Sequence, residues 1–425
     1  MKASLEAGDR VKVVLSKEEY EGILLESQIN EKGLLLLKLD SGYNLGFNKK
    51  DIFETILLEK ANLKKEQEKI KTDSSKPNIA MIITGGTIAA RLNPKKGGVD
   101  WLTNPESLFK FYPQLFEKVN IVKVEVPFMK ASEDMDFKDW QKIAKTAEIL
   151  LNDSNIKGII ITHGTDFLHY TSAALSFFLR NLNKPVVLTY SQRSIDRASS
   201  DANLNLQCSA LAAISDIAEV MIVGHASSND DFCYAMPGTK VRKMHSSKRD
   251  AFKIVNSIPF AKIFPNQLEK ISDYNVRTNK KVKADTKFEE NIALVKFYPG
   301  QNPDILDYYL KKKYRGIVLE MGALGHVHSK RARKAWTNKL KEVQNKGLII
   351  CGVTQCIFGR TDPLVYSNGR EMLETGIIYL EDMLAETAFV KLGWILGHEE
   401  WAKDKNVIKE KMLHNFSREL NSTLI

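Results

Sequence analysis

Cysteine is scarce, with four in 425 residues, at Cys208, Cys233, Cys351 and Cys356. They are too few and too scattered for a disulfide scaffold, and no C-x-x-C pair is present to begin a zinc site. No apolar run approaches the ~20 residues that a membrane helix requires; the Leu34–Leu37 run stops at Lys38. The opening MKASLEAGDRVKVV lacks the apolar stretch of a signal peptide. Neither G-x-x-x-x-G-K-[ST] nor G-x-G-x-x-G occurs, so the sequence makes no case for nucleotide binding. These absences predict a cytoplasmic protein with reduced thiols, no membrane contact, and no metal or cofactor of its own.

What is present is an ordinary globular composition, 43% hydrophobic and 27% charged, in a chain long enough for two or three cores. The formal charge, 62 − 52 = +10, suits either a polyanionic partner or a lysine-rich soluble surface. Gly8 to Leu57 reads as short strands (RVKVVL, YEGILLES, GLLLLKLD, YNLGFN) broken by turn residues such as Asp40-Ser41-Gly42, which suits a small SH3-like β-barrel. Glu59 to Lys76 is Lys- and Glu-rich and closed by Pro77, a helical or frayed linker.

From Asn78 the texture alternates. Apolar runs at Ile79–Ile83, Ile156–Ile161, Val186–Leu188 and Val220–Val223 flank helical stretches at Asp136–Leu151 and Phe167–Leu182. A second set follows at Ile292–Phe297, Gly316–Glu320 and Leu348–Val353. Short buried runs between helices predict doubly wound parallel α/β sheets in two lobes. The expected division is 1–58 for the barrel, 59–77 for the linker, 78–270 for the first lobe, and 271–425 for the second lobe with a helical tail from Leu380.

Two threonine-bearing strings stand out by position. Ile79–Ile83 runs into Thr84-Gly85-Gly86-Thr87, and Ile156–Ile161 into Thr162-His163-Gly164-Thr165-Asp166. Ligands in open α/β sheets bind outside the carboxyl ends of strands, so both turns would face one crevice. Paired glycines let backbone N–H groups approach a substrate closely and serve a developing oxyanion. Singly, each string also reads as a turn or a helix cap. A threonine hydroxyl is a weak nucleophile without an activating neighbour. Lys243 could supply one, although on residues alone it is one of several basic residues in Val241–Lys253.

Weaker signals read as structure. His326-x-His328 has no third ligand at metal spacing and fits a glycine turn after a strand. Lys330, Arg331, Arg333, Lys334, Lys339 and Lys341 spread around a helix axis as a solvated face. Cys351 and Cys356 read as small core residues.

The strings MIITGGTIAA, SEDMD, IITHGTDFLHYTSAAL, VRKMHSSKRDAF and GRTDPLVYSNGREMLETGIIYLEDMLAETAFVKLGWILG resemble the asparaginase/glutaminase superfamily over about residues 78–400. The Gly8–Ile52 segment is similar to the small β domain of the archaeal D subunits of glutamyl-tRNA(Gln) amidotransferase, which ordinary bacterial asparaginases lack. The resemblance implies an asparaginase-like fold with Thr87 as the acylated nucleophile. It implies that Thr165, Asp166 and Lys243 form the second catalytic group, and that Gly86, Ser132 and Glu133 bind substrate. It also implies that ammonia from glutamine or asparagine passes to a partner E subunit. That partner would use ATP and Mg2+ to amidate glutamate on tRNA(Gln), which it would mainly hold. A homodimer core within a heterotetramer would follow. A free-standing L-asparaginase is the alternative. One departure is plain: Arg91–Trp101 has no tyrosine where related asparaginases carry an assisting one, although Pro94 and Gly97-Gly98 suit a closing lid.

Overall fold

The computed structural model describes residues 5–25, 33–39, 44–60, 73–93, 98–101, 113–194 and 199–423. The expected turn at Asp40–Gly42, most of the linker (61–72), and Pro94 and Gly97 of the loop lie outside them. No helix among the described residues is long and apolar enough to cross a membrane.

The first five strands, Arg10–Val14, Glu19–Leu25, Leu34–Lys38, Asn44–Asn48 and Glu54–Glu59, form an antiparallel sheet in which the fifth returns beside the first. Alternation along Arg10–Val14 buries Val11 and Val13, which share a small core with Leu37 and Phe47. The last strand runs through Glu59, one residue into the expected linker. The Glu54–Glu59 pairing with Arg10–Val14 sets that end.

The first large sheet has eight strands, ordered Leu268–Lys270, Ala261–Ile263, Cys233–Pro237, Val220–His225, Val186–Thr189, Ile159–Thr162, Asn78–Ile83, Asn120–Glu125. The last five in that order are parallel. The runs of the inner strands are apolar because both faces are covered, whereas the edge strand Asn120–Glu125 exposes Lys123 and Glu125. Ala80 and Ile82 pack with Trp140, Ile143 and Ala147 of helix Phe137–Leu151, while Ile79, Met81 and Ile83 share the opposite core with Leu206 and Ala210 of helix Ala202–Ile214. Asp136 caps the first of these helices in a reciprocal box with Asp139.

The sheet is mixed, not purely parallel as expected. Cys233–Pro237, Ala261–Ile263 and Leu268–Lys270 are antiparallel: residues 226–232 and 264–267 are too short for crossover helices, and residues 238–260 form the hairpin Val241–Lys243/Phe252–Ile254 instead of one. The expected lobe boundary at 270 falls at the end of its last strand. The helix expected to reach Leu182 stops at Phe178. The chain extends at Leu179–Arg180 to pair with Lys283–Ala284, then turns at Asn181 (φ 56°).

The second lobe is a four-stranded parallel sheet of Ile292–Lys296, Gly316–Met321, Ile349–Thr354 and Ile378–Tyr379. Helix Ala385–Leu396 joins the lobes: Trp394 stacks on Phe177 of the first lobe at 5.8 Å while Leu392 packs with Val318 and Cys351 of the second. The tail is helical only to Leu413, because the buried Glu419 carboxylate accepts the Phe416 and Ser417 N–H groups and pairs with Lys391 at 2.6 Å. The predicted basic helix starts only at Thr337. Buried Trp336, donating to Gln301 O at 3.1 Å, holds the preceding segment in turns, and Lys339 pairs with Asp307 and Glu342. Cys351 is buried, but Cys356 is exposed beyond the strand end, contrary to the core reading. His326 closes the predicted glycine turn through its N–H to Gly322 O at 2.9 Å.

Candidate active site

In chain order the five parallel strands read 2-1-3-4-5 across the sheet. The winding direction reverses between the first, Asn78–Ile83, and the third, Ile159–Thr162, which opens a crevice at their carboxyl ends. Both threonine-bearing turns leave the sheet there. Buried Thr84 joins them, its hydroxyl donating to Thr162 O at 2.8 Å and its N–H to the same oxygen at 3.2 Å.

Gly85 (φ 124°) and Gly86 (φ 84°) occupy the left-handed region that other residues avoid. A Cβ on Gly86 would lie 2.5 Å from Gly164 N, and one on Gly85 2.3 Å from Lys130 O. The two turns therefore touch backbone to backbone, and glycine is the residue that permits it. Thr87 follows directly, half-buried at the start of the one-turn 3-10 helix Thr87–Ala89.

The second turn is held from three sides. His163 is fully buried; its Nδ1–H donates to Gly164 O at 2.7 Å and its Nε2 accepts from the Thr171 hydroxyl at 2.9 Å. Burial pulls the imidazole pKa down to about 4, so it is neutral at neutral pH. Ser132 Oγ accepts the Asp166 N–H at 3.1 Å and the Phe167 N–H at 3.3 Å, and lies 3.4 Å from Glu133 Oε2. Lys243, on a hairpin strand Val241–Lys243, closes the third side: its Nζ donates to Thr165 Oγ1 at 2.8 Å and to Asp166 Oδ1 at 2.6 Å.

The cleft beside Lys243 and Asp166 is open, about 280 Å³, and continues along Met244, His245 and Ser246. The Lys243 side chain is 10% exposed while Asp166 is 57% exposed, so the ammonium is fixed and the carboxylate faces incoming solute. A buried cation on a threonine oxygen favours the alkoxide form of that hydroxyl, and an exposed carboxylate favours a cationic ligand.

The structure brings together Ser132, Glu133, Thr165, Asp166 and Lys243, and links them to Gly86 and Thr87 through the Gly86–Gly164 contact. The loop beyond Thr87 is a backbone hairpin, Ala90–Asn93 against Gly98–Trp101. Sequence reasoning missed the groups that place Lys243. Lys240 Nζ pairs with Asp382 at 2.8 Å, both side chains fully buried, and burial lowers the lysine pKa. Thr387 donates to Thr239 O at 2.8 Å and Arg242 pairs with Glu386 at 3.0 Å. Their only trace in the sequence is charge inside otherwise apolar segments, PGTKV and EDMLAETAFV.

Comparison with known families agrees with this architecture. Residues 5–58 match the GatD N-terminal domain, 78–275 the N-terminal asparaginase domain, and 291–412 the glutaminase/asparaginase C-terminal domain. The chain is 43% identical to the D subunit of glutamyl-tRNA(Gln) amidotransferase from Pyrococcus furiosus, over 98% of this chain and 95% of that one. It is 37% identical to the protein of the same name from Sulfolobus acidocaldarius, over 99% and 93%. Among solved structures, the thermostable L-asparaginase from Thermococcus kodakarensis superposes with TM-score 0.71 at 27% identity, covering 81% of this chain and all of that one. L-asparaginase I from Vibrio cholerae gives 0.67 at 25% identity, covering 81% of this chain and 99% of that one. With all three segments matched in order and the whole length shared with curated relatives, the chain belongs to the D-subunit family of glutamyl-tRNA(Gln) amidotransferase, built on the asparaginase fold.

Proposed function

We propose that this chain is the amide-cleaving subunit that releases ammonia from glutamine, or asparagine, for the tRNA-dependent conversion of Glu-tRNA(Gln) to Gln-tRNA(Gln). The observation that carries the reading is Lys243 within 2.8 Å of the Thr165 hydroxyl and 2.6 Å of Asp166, at the mouth of the crevice that the Thr87 turn enters. Thr87 Oγ attacks the side-chain amide carbon, and a C–O bond forms as the C–N bond breaks. The threonine proton leaves with the nitrogen as ammonia, and water then hydrolyses the ester to the free acid. Backbone N–H groups around Gly86 suit the developing oxyanion. Asp166 meets the substrate α-ammonium, and Ser132 and Glu133 hold its α-amino and α-carboxylate groups. The Ser132 oxygen already accepts two backbone N–H bonds, and its hydroxyl donates to Glu133 Oε2 over a long 3.4 Å, a bond that a substrate carboxylate would replace. Thr165, held by Lys243, assists proton transfer in place of the tyrosine that Arg91–Trp101 lacks.

The acceptor half belongs to a partner E subunit. A carboxylate must be activated before ammonia displaces an oxygen from it, and this sequence carries no phosphate-binding loop, so ATP, Mg2+ and most of the tRNA contact fall to that partner. Ammonia in neutral water is mostly ammonium and non-nucleophilic, which favours a sheltered path and a tight cytoplasmic complex, a homodimer core flanked by two partners. The additional N-terminal sheet and the full-length similarity to amidotransferase subunits favour this over a free-standing asparaginase.

The test is Thr87→Val in the complex. Glutamine-dependent Gln-tRNA(Gln) formation should fall by about 10⁴-fold or more, and concentrated ammonium salt should restore it. Near-native ammonia release by the variant would move the nucleophile to Thr165, and failure of ammonium to rescue would refute the division of labour.

A further inference from the structure

Lys243 reaches Thr165 from the hairpin Val241–Lys243/Phe252–Ile254, so whatever fixes the base of that hairpin fixes the lysine. The base is formed by Lys240, which enters the first strand, and by Val255 and Asn256, which leave the second. Val255 N–H donates to Lys240 O at 2.8 Å, and Asn256 then turns with φ 49°. Lys240 Nζ meets Asp382 Oδ2 at 2.8 Å and the Asp382 backbone oxygen at 3.1 Å, which leaves Oδ1 of a wholly buried carboxylate for another donor.

The C-terminal segment supplies it. Beyond helix Lys405–Leu413 the described chain is irregular and passes between the lobes. Asn421 N–H donates to Asp382 Oδ1 at 3.0 Å, and its Nδ2 donates both to Asp382 Oδ2 at 2.7 Å and to Asn256 O. A side-chain amide has two N–H groups, so one residue serves both acceptors. Asn421 thereby ties the two strands of the hairpin at once, one through Asp382 and Lys240 and the other through Asn256. Asn256 is itself pinned by a reciprocal pair with Gly359 at 2.9 and 3.0 Å.

Four residues earlier, Ser417 O accepts the Thr239 hydroxyl at 2.8 Å, and Ser417 Oγ donates to Ser176 O at 2.6 Å. Ser176 lies on helix Leu168–Phe178, which begins just after the Thr165-Asp166 turn. The segment therefore joins the elements that carry the two ends of the Lys243–Thr165 bond, and the buried Lys391–Glu419 pair holds its middle. We propose that Ser417–Asn421 is a strap and that Asn421 is a positioning residue, which sets the reach of Lys243 to Thr165 without touching substrate. Its effect on turnover rests on the amide-cleaving reading given above.

Asn421→Leu removes both side-chain donors at similar volume, and Asn421→Ala leaves room for water on Asp382, so that the test does not depend on one variant folding. Asn152→Ala is the control: Asn152 also makes two bonds to a separate segment, to Val282 O and from Val282 N–H at 3.0 Å each, at the opposite pole of the parallel strands. In ammonia release from glutamine, both Asn421 variants should lose about tenfold or more in kcat with KM unchanged, and Asn152→Ala should keep both constants. The second readout is independent of the reaction. Brief acetic anhydride labelling of the folded full chain, read by mass spectrometry, should modify Lys243 severalfold faster in both Asn421 variants than in the parent or in Asn152→Ala. Parental labelling of Lys243, parental kcat, a loss confined to KM, or an equal loss of kcat in the control overturns the strap. Faster labelling in a chain whose parent releases no ammonia would support the strap and refute the amide-cleaving reading instead.

Discussion

Gly86→Ala isolates the contact on which the proposed centre depends. The added Cβ would sit 2.5 Å from Gly164 N, 2.6 Å from Gly164 Cα and 2.6 Å from the His163 carbonyl carbon, all backbone atoms. Side-chain rotation cannot relieve such contacts, and ordinary contact begins at 3.4 Å, so one turn must move by about 1 Å (3.4 − 2.5 Å). Overpacking of this kind costs about 1–3 kcal/mol, and the left-handed backbone (φ 84°) adds roughly 1–2 kcal/mol. The displacement acts on the separation of Thr87 from Thr165, and a misplacement near 1 Å lowers turnover by about 10²-fold. Gly300→Ala is the control: its φ is 83°, but no atom lies within 4 Å of the added carbon. Urea unfolding should show both variants destabilised, Gly300→Ala by the backbone part alone. Steady-state ammonia release should fall about 100-fold in Gly86→Ala and stay unchanged in Gly300→Ala. Retention of parental kcat by a folded Gly86→Ala variant would show that the two turns need not touch, and the reasoning would fail.

Three further outcomes follow from the geometry. Lys243→Met should lower kcat far more than it raises KM, because its ammonium sits on Thr165, whereas Asp166→Asn should harm both; a rise in KM alone for Lys243→Met would make Lys243 a substrate-binding group. Burial pushes the His163 imidazole down from its ordinary 6.5 to about 4 in the folded chain, so the unfolded chain binds the extra proton between those values. Its contribution is complete above pH 6.5 and is lost as pH falls towards 4, on the order of 3 kcal/mol; a His163→Gln variant should show a correspondingly shallower acid slope in urea titrations. Lys240→Met leaves Asp382 buried and uncompensated and should destabilise by about 3–5 kcal/mol, with Lys240→Met/Asp382→Leu recovering much of the loss in thermal unfolding.

The parallel strands were legible because burial on both faces writes itself as continuous apolar runs: Ile79–Ile83 and Val186–Leu188 fall inside observed strands. Ile156–Ile161 began three residues early, since Ile156 is equally buried but precedes the ladder, which starts at Ile159. The antiparallel edge was not legible. Ala261–Ile263 and Leu268–Lys270 are three residues each, too short to show a period. The threonine turns were legible by position, but Lys243 was not, because Arg242, Lys248 and Lys253 look the same in the chain; family resemblance singled it out. Ser132 was assigned to substrate only, whereas its oxygen also receives the Asp166 and Phe167 N–H groups, a long-range cap that no local pattern encodes.

The second lobe explains how a flexible lysine can hold a threonine at hydrogen-bond distance. A free lysine side chain carries roughly 2 kcal/mol of rotamer entropy, so fixing its tip requires that its backbone be fixed first. Thr239, Lys240 and Arg242 are tied in turn to Thr387, Asp382 and Glu386, all within or just before the first turn of helix Ala385–Leu396. Lys243 emerges directly from that clamp, 10% exposed, onto Thr165. Two of the three ties are ion pairs, and Lys240–Asp382 is wholly buried, so parting the lobes would expose or strand opposite charges together with the Phe177–Trp394 stack. Opening such a joint is costly. Solute therefore reaches Asp166 through the open cleft beside Met244–Ser246, and the lobes act as one rigid frame that sets the distance between Lys243 and the two threonine turns.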